Sequence, residues 1–175
     1  MCSSCMSEGG HIPLGTKNSI STTVDGVTLN VIGRKYVLLA LKLQSANVHG
    51  LLKILNFTVT YLAAAGKVGF YELQLHSTVG SIGSVTGTLT FNNISSSIAK
   101  YAIGNGTQYI DVGQNGYILN SGFVSSRLDV LLQSVDFETL LARTNVTTYD
   151  TFILSASGNV SNDLMFGSIN FIESE

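Results

Sequence analysis

The chain has no tryptophan, a single proline and only two cysteines in 175 residues. One cysteine pair excludes a disulfide-stapled scaffold. Charge is equally scarce. Asp, Glu, Lys and Arg make up 11% of the residues, against roughly 25% in an average soluble domain. The net charge of -2 excludes the basic footprint that neutralises phosphates, so no nucleic-acid partner is expected. No apolar run approaches the roughly 18 residues of a membrane-spanning helix, so no membrane partner is expected. The most apolar stretch, Tyr36 to Leu43, is strand-length and contains Lys42. The start carries neither a basic region nor an apolar core of a secretory signal. The expectation is a protein made in a cytosol and used without Sec-type export.

Helical periodicity is also nearly missing. Only "SSIAKYA" (Ser96 to Ala102) and "DFETLLA" (Asp136 to Ala142) read as a turn or two of helix, the second capped by Asp136 with Glu138 in its first turn. What the chain has instead is a period of two. Val37, Leu39, Leu41 and Leu43 alternate with Leu38, Ala40 and Lys42. Leu55, Phe57, Val59 and Tyr61 alternate with Asn56, Thr58 and Thr60, and Tyr71, Leu73 and Leu75 with Glu72, Gln74 and His76. Phe152, Leu154 and Ala156 form a later set, and Met165, Ile169 and Phe171 the last. Eight to ten short strands separated by Gly, Asn and Ser turns indicate a sandwich or barrel. The fold class expected is all-β: a two-sheet antiparallel jelly-roll sandwich with an extended N-terminal arm. Residues 1–33 form the arm or attachment segment, with a hairpin turning at Asp25-Gly26, and residues 34–175 form the jelly-roll domain.

Motifs for chemistry are thin. No Gly-x-Ser-x-Gly elbow exists. His11 lies in the arm, His49 in a turn and His76 on the polar face of a strand, where all three read as solvated histidines. "GNGTQY" (Gly104 to Tyr109) starts like a dinucleotide fingerprint but lacks the third glycine and a βαβ context, so it reads as a turn. Asp136 and Glu138 have no spaced acidic partner of the kind a glycosidase uses. "NVSND" (Asn159 to Asp163) offers oxygen atoms suited to calcium but also reads as an ordinary turn. Asn56, Asn93, Asn105, Asn145 and Asn159 open Asn-x-Ser/Thr sequons, expected by chance in so Asn-, Ser- and Thr-rich a chain. Cys2, Cys5 and His11 supply at most three metal ligands, short of a closed tetrahedral zinc site, and are read as part of a docking arm. No catalytic residue and no cofactor is expected. Phe70, Phe123, Phe166 and Ile172 break the alternation and point away from the core face. With the low charge, they are the candidate interface of an oligomer.

Three segments resemble a jelly-roll domain of structural proteins in tailed bacteriophages: "GYILNSGFVSS" (Gly116 to Ser126), "YDTFILSAS" (Tyr149 to Ser157) and "MFGSINFIESE" (Met165 to Glu175). "RKYVLLALKLQS" (Arg34 to Ser45) fits the same pattern as a basic residue leading into an apolar strand. Phe171 stands where tryptophan is commoner. The resemblance implies a capsid decoration, head-fibre or neck-tail component, without cofactor or catalysis. It would act in the virion, after synthesis in the host cytoplasm. Its partners would be itself, as a homotrimer by analogy with other oligomeric jelly rolls, and other virion proteins such as the major capsid or neck and tail proteins. Two other readings stand beside it. One is a carbohydrate- or receptor-binding module using the loops Asn47 to Gly50, Gly80 to Gly87 and Asn159 to Asp163. The other is a β-sandwich hydrolase, which needs converging acids or a histidine cluster.

Overall fold

Alternating apolar residues force the chain into strands that bury one face, and two such faces must meet. The structure, a computed structural model, describes residues 15–44, 50–79, 85–111, 116–126, 131–134, 140–141 and 148–174. Fourteen strands lie among them: β1 (Thr16–Ser21), β2 (Val27–Leu29), β3 (Lys35–Leu43), β4 (Leu51–Leu62), β5 (Val68–Val79), β6 (Val85–Thr86), β7 (Asn92–Asn93), β8 (Ala99–Ile103), β9 (Tyr109–Ile110), β10 (Tyr117–Ser125), β11 (Leu131–Ser134), β12 (Leu140–Leu141), β13 (Thr148–Gly158) and β14 (Asp163–Ser174). No helix occurs among the described residues.

Two antiparallel sheets result, and the fold is a β-sandwich. The first runs β1-β14-β4-β11, with β2 also on β14 and β12 on β4. The second runs β10-β5-β13-β3-β8-β7, with β9 on β3 and β6 on β9. The long-range pairings follow one rule. β14 pairs with β1 and β2, β13 with β3, β11 with β4 and β10 with β5. Successive pairs fall alternately in the first and second sheet. In chain order, β6 to β9 lie between β5 and β10.

The core lies between the sheets. Met165, Ile169 and Phe171 of β14 and Phe57, Val59 and Tyr61 of β4 face Leu73, Phe152, Leu154, Leu39 and Leu41 across it. Phe57 and Tyr71 meet edge to face, with centroids 5.6 Å apart. Alternation on β4 is broken once. Asn170 pairs with Asn56 but Phe171 pairs with Ile54, so Leu55 is the extra residue of a bulge. Leu52 and Ile54, rather than Leu55, continue the buried row. On the outside of the second sheet, Val37, Ala40, Ala102, Ile110 and Ile153 form a second, smaller apolar cluster beneath Val85, Leu89 and Phe91. β3 is therefore covered on both faces, which explains its near-continuous apolar sequence.

Four expectations change. Ser96 to Ala102 is no helix: Ser96 sits at φ 56 and β8 follows, pairing along β3. The β-branched and aromatic side chains of this segment find half-buried positions on a sheet face, which outweighs weak helical periodicity. Leu140 and Leu141, from the other supposed helix, pair with Lys53 and Leu52 of β4; Asp136 and Glu138 lie outside the described residues. Asp25-Gly26 does not turn a hairpin. β1 and β2 run in the same direction along β14, Ser21 opposite Ser168 and Val27 opposite Met165. The residues between them bow out as a wide bulge. Gly26, at φ +66, lets the backbone pass over Phe166, whose ring a side chain there would strike at 2.9 Å. Finally, no structural boundary falls between residues 33 and 34. Ile20, Val27 and Leu29 belong to the main core, because without β1 and β2 the edge of β14 would stay unpaired. What precedes residue 15, including Cys2, Cys5 and His11, lies outside the described residues.

Glu173 locks this arrangement. It points into the sandwich at 6% exposure. Its Oε1 accepts from Asn18 Nδ2 at 2.9 Å, and its Oε2 accepts from Ser97 Oγ at 2.5 Å and the Ile98 amide at 3.1 Å. One carboxylate thus ties β1 and β14 of the first sheet to the turn that leads into β8 of the second.

Candidate functional site

Residues two apart on a strand point to the same side, so Glu72, Gln74 and His76 form one row on the outer face of β5. An outer row of that composition would normally be wet. Here it is buried: Glu72 is 5% exposed, Gln74 0% and His76 4%. The Ile153 cluster borders it on one side. At Gly116 the backbone packs so closely that a side chain would fall 2.8 Å from the His76 ring. The expected solvated His76 is therefore corrected to a buried one.

Burial forces the polar groups to satisfy one another, and they form a relay. Lys35, on the outer face of β3, reaches across β13 and places Nζ 2.7 Å from Glu72 Oε2. Gln74 Nε2 donates to the same Oε2 at 2.6 Å. Gln74 Oε1 lies 2.7 Å from His76 Nε2. The Ser155 hydroxyl, on the intervening β13, contacts the Glu72 carbonyl oxygen at 3.4 Å. Thr151, opposite His76 in the register, is fully buried, and its hydroxyl has no hydrogen-bond partner. Desolvation lowers the pKa of His76 below its ordinary value, so the imidazole is neutral at neutral pH. The amide orientation of Gln74 is fixed chemically. Turned over, its oxygen would face the carboxylate, two acceptors with no proton between them. A neutral His76 must then hold its proton on Nε2 and donate to Gln74 Oε1. The signal for this site in the sequence is Glu-x-Gln-x-His on one strand face; Lys35 comes from a distant strand and carried no signal.

The four apolar candidates for an interface divide into two places. Phe70 and Phe123 are cross-strand partners of β5 and β10, with ring centroids 5.2 Å apart. Phe123 is 72% exposed and sits on the edge strand β10 with Tyr117 (73%) and Ile118 (45%). Phe166 and Ile172 lie on the outer face of the first sheet. Phe166 packs against Gly26, and Ile172 stands between Lys17 and Lys53 in the register. The structure does not bring the two pairs together.

The remaining candidates resolve simply. In the Asn159 to Asp163 loop, Asn159 Oδ1 accepts from the Val68 amide and Asp163 Oδ2 from Tyr61 at 2.5 Å, so these oxygens already serve the fold. Asn105 Oδ1 accepts from the Thr107 amide and hydroxyl, a turn in place of a nucleotide loop. His49, Asn145 and most of the Gly80 to Gly87 loop lie outside the described residues. Two open hollows, of about 270 and 360 Å³, flank β1; neither gathers titratable groups. Among the described residues no group of three or more His, Cys, Asp or Glu could hold a metal ion. No protein-family model matches the sequence, and no curated protein matches it.

Proposed function

We propose that this chain is a structural protein of a virus particle: a jelly roll that assembles as a homotrimer and attaches to other virion proteins through its N-terminal segment. The observation that carries the reading is the strand order. First with last, second with next to last, alternating between two sheets, is the connectivity of a rolled-up hairpin, and jelly rolls of this kind build viral capsid and lectin domains. The first strand of the roll is then β1 with β2, so the attachment segment is confined to the residues before them. Fold alone does not decide between shell and lectin. The calcium-type loop oxygens committed to Val68 and Tyr61 weigh against the lectin reading.

The edge strand β10 supports assembly. Its nine residues contain no charge and no proline, the usual protections of an exposed edge. Three of its apolar side chains face solvent. Light scattering after gel filtration tests the assembly: the trimer mass is expected for the native chain, and Phe123→Ser with Tyr117→Ser is expected to shift it toward the monomer. A native chain that is monomeric at high micromolar concentration refutes the trimer. Electron microscopy of intact particles labelled against the protein tests the location, and label absent from purified particles refutes it.

A further inference from the structure

We propose that Lys35, Glu72, Gln74 and His76 form an autocatalytic centre that joins the Lys35 side chain to the Gln74 side chain through an isopeptide bond. This goes beyond the virion reading and does not rest on it.

Four roles are needed to convert an amine and a primary amide into a secondary amide, and the relay supplies each. The nucleophile is Lys35 Nζ and the electrophile is Gln74 Cδ. Glu72 is the proton carrier. Its Oε2 holds Lys35 Nζ at 2.7 Å and the leaving nitrogen, Gln74 Nε2, at 2.6 Å, so both nitrogens are gathered on one oxygen atom. His76 Nε2–H, 2.7 Å from Gln74 Oε1, stabilises the charge that develops on that oxygen.

The step balances without any further reagent. Lys35 Nζ gives a proton to Glu72 and adds to Gln74 Cδ, and the carbonyl electron pair moves onto Oε1. On collapse the Cδ–Nε2 bond breaks. Two protons from the lysine ammonium pass to the departing nitrogen, one of them through Glu72, and it leaves as ammonium. A secondary amide remains and the Glu72 carboxylate is restored. Burial of Glu72, Gln74 and His76 keeps water from competing at Cδ. The product would staple β3 to β5 over β13, three strands held by one covalent bond.

Intact-mass measurement of the purified full chain tests this. The expected mass is that of the sequence less one ammonia, and proteolysis should yield a peptide containing Lys35 joined to one containing Gln74. Glu72→Gln and Lys35→Arg are expected to show the full mass, with folding of each followed by circular dichroism. The joined peptide is the deciding observation, because a cyclised Asn105-Gly106 would also lose ammonia but joins no peptides. Folded native protein with the full sequence mass overturns the proposal, whether or not the variants fold. Cross-link formation at the native rate in Glu72→Gln overturns the role assigned to the carboxylate.

Discussion

Replacing Glu173 with alanine removes a carboxylate that bonds both to β1 of the first sheet and to the turn leading into β8 of the second. The loss can be worked from its three partners. The Ile98 amide belongs to a residue only 8% exposed, and stranding a buried donor costs about 2 kcal/mol. Ser97 Oγ and Asn18 Nδ2 are partly buried. Each can recover water in part, so each loses about 0.5 kcal/mol. The expected destabilisation is about 3 kcal/mol, or roughly 6–12 °C in Tm for a domain of this size. Urea unfolding at neutral pH measures it, provided the m-value is unchanged. Glu173→Gln makes the contrast. Its amide oxygen can face Ser97 and Ile98, while its amide nitrogen donates to Asn18 once that side chain turns over. The expected cost is then about 1 kcal/mol. A Glu173→Ala variant within about 0.5 kcal/mol of the native chain would refute the view that this group holds the sheets together. Equal losses for the two variants would show that charge, not hydrogen-bond satisfaction, is what matters.

Three further outcomes are expected. Burial lowers the pKa of His76 below 6.5, so the unfolded chain binds the proton more readily than the folded one. Stability should therefore be full above pH 6.5 and fall as pH drops below it, and His76→Gln should flatten that fall in urea midpoints measured against pH. Tyr61 is raised well above its ordinary pKa of 10.0, by desolvation first and by its bond to Asp163 second, and Tyr71 is raised by desolvation. The Tyr61 phenolate absorbance should thus appear only with alkaline unfolding and that of Tyr71 above the ordinary range, and stability should fall as pH rises through 10; titration of every tyrosine at the ordinary pH in the still-folded protein would contradict this. Gly104→Ala would place a methyl group 1.7 Å from the Val37 carbonyl oxygen, where no side-chain rotation relieves the clash. Loss of soluble folded protein is expected, and a native-like Tm would show that the β3 and β8 backbones can part.

The two-sheet character was legible in the sequence because it depends on a local rule. Where Phe57, Val59 and Tyr61 alternate with Thr58 and Thr60, every second residue needs cover. The same rule misplaced Leu55, since a bulge shifts the phase by one residue and bulges are set by the partner strand. It also failed at Asp25-Gly26, where a good turn sequence became an excursion within one edge strand. The competitor there was the unpaired edge of β14, about 140 residues away in the chain.

The candidate site divides along the same line. The sequence by itself determined that Glu72, Gln74 and His76 share a face, because the backbone pleat alone does that. It also determined that the chain must bury a large apolar surface with few charges. Only the tertiary structure decided that this polar face is dry, that Lys35 arrives on it from two strands away, and that Glu173 points inward to join both sheets. Burial and the meeting of distant strands depend on which sheet edges find each other, and sequence spacing does not carry that information.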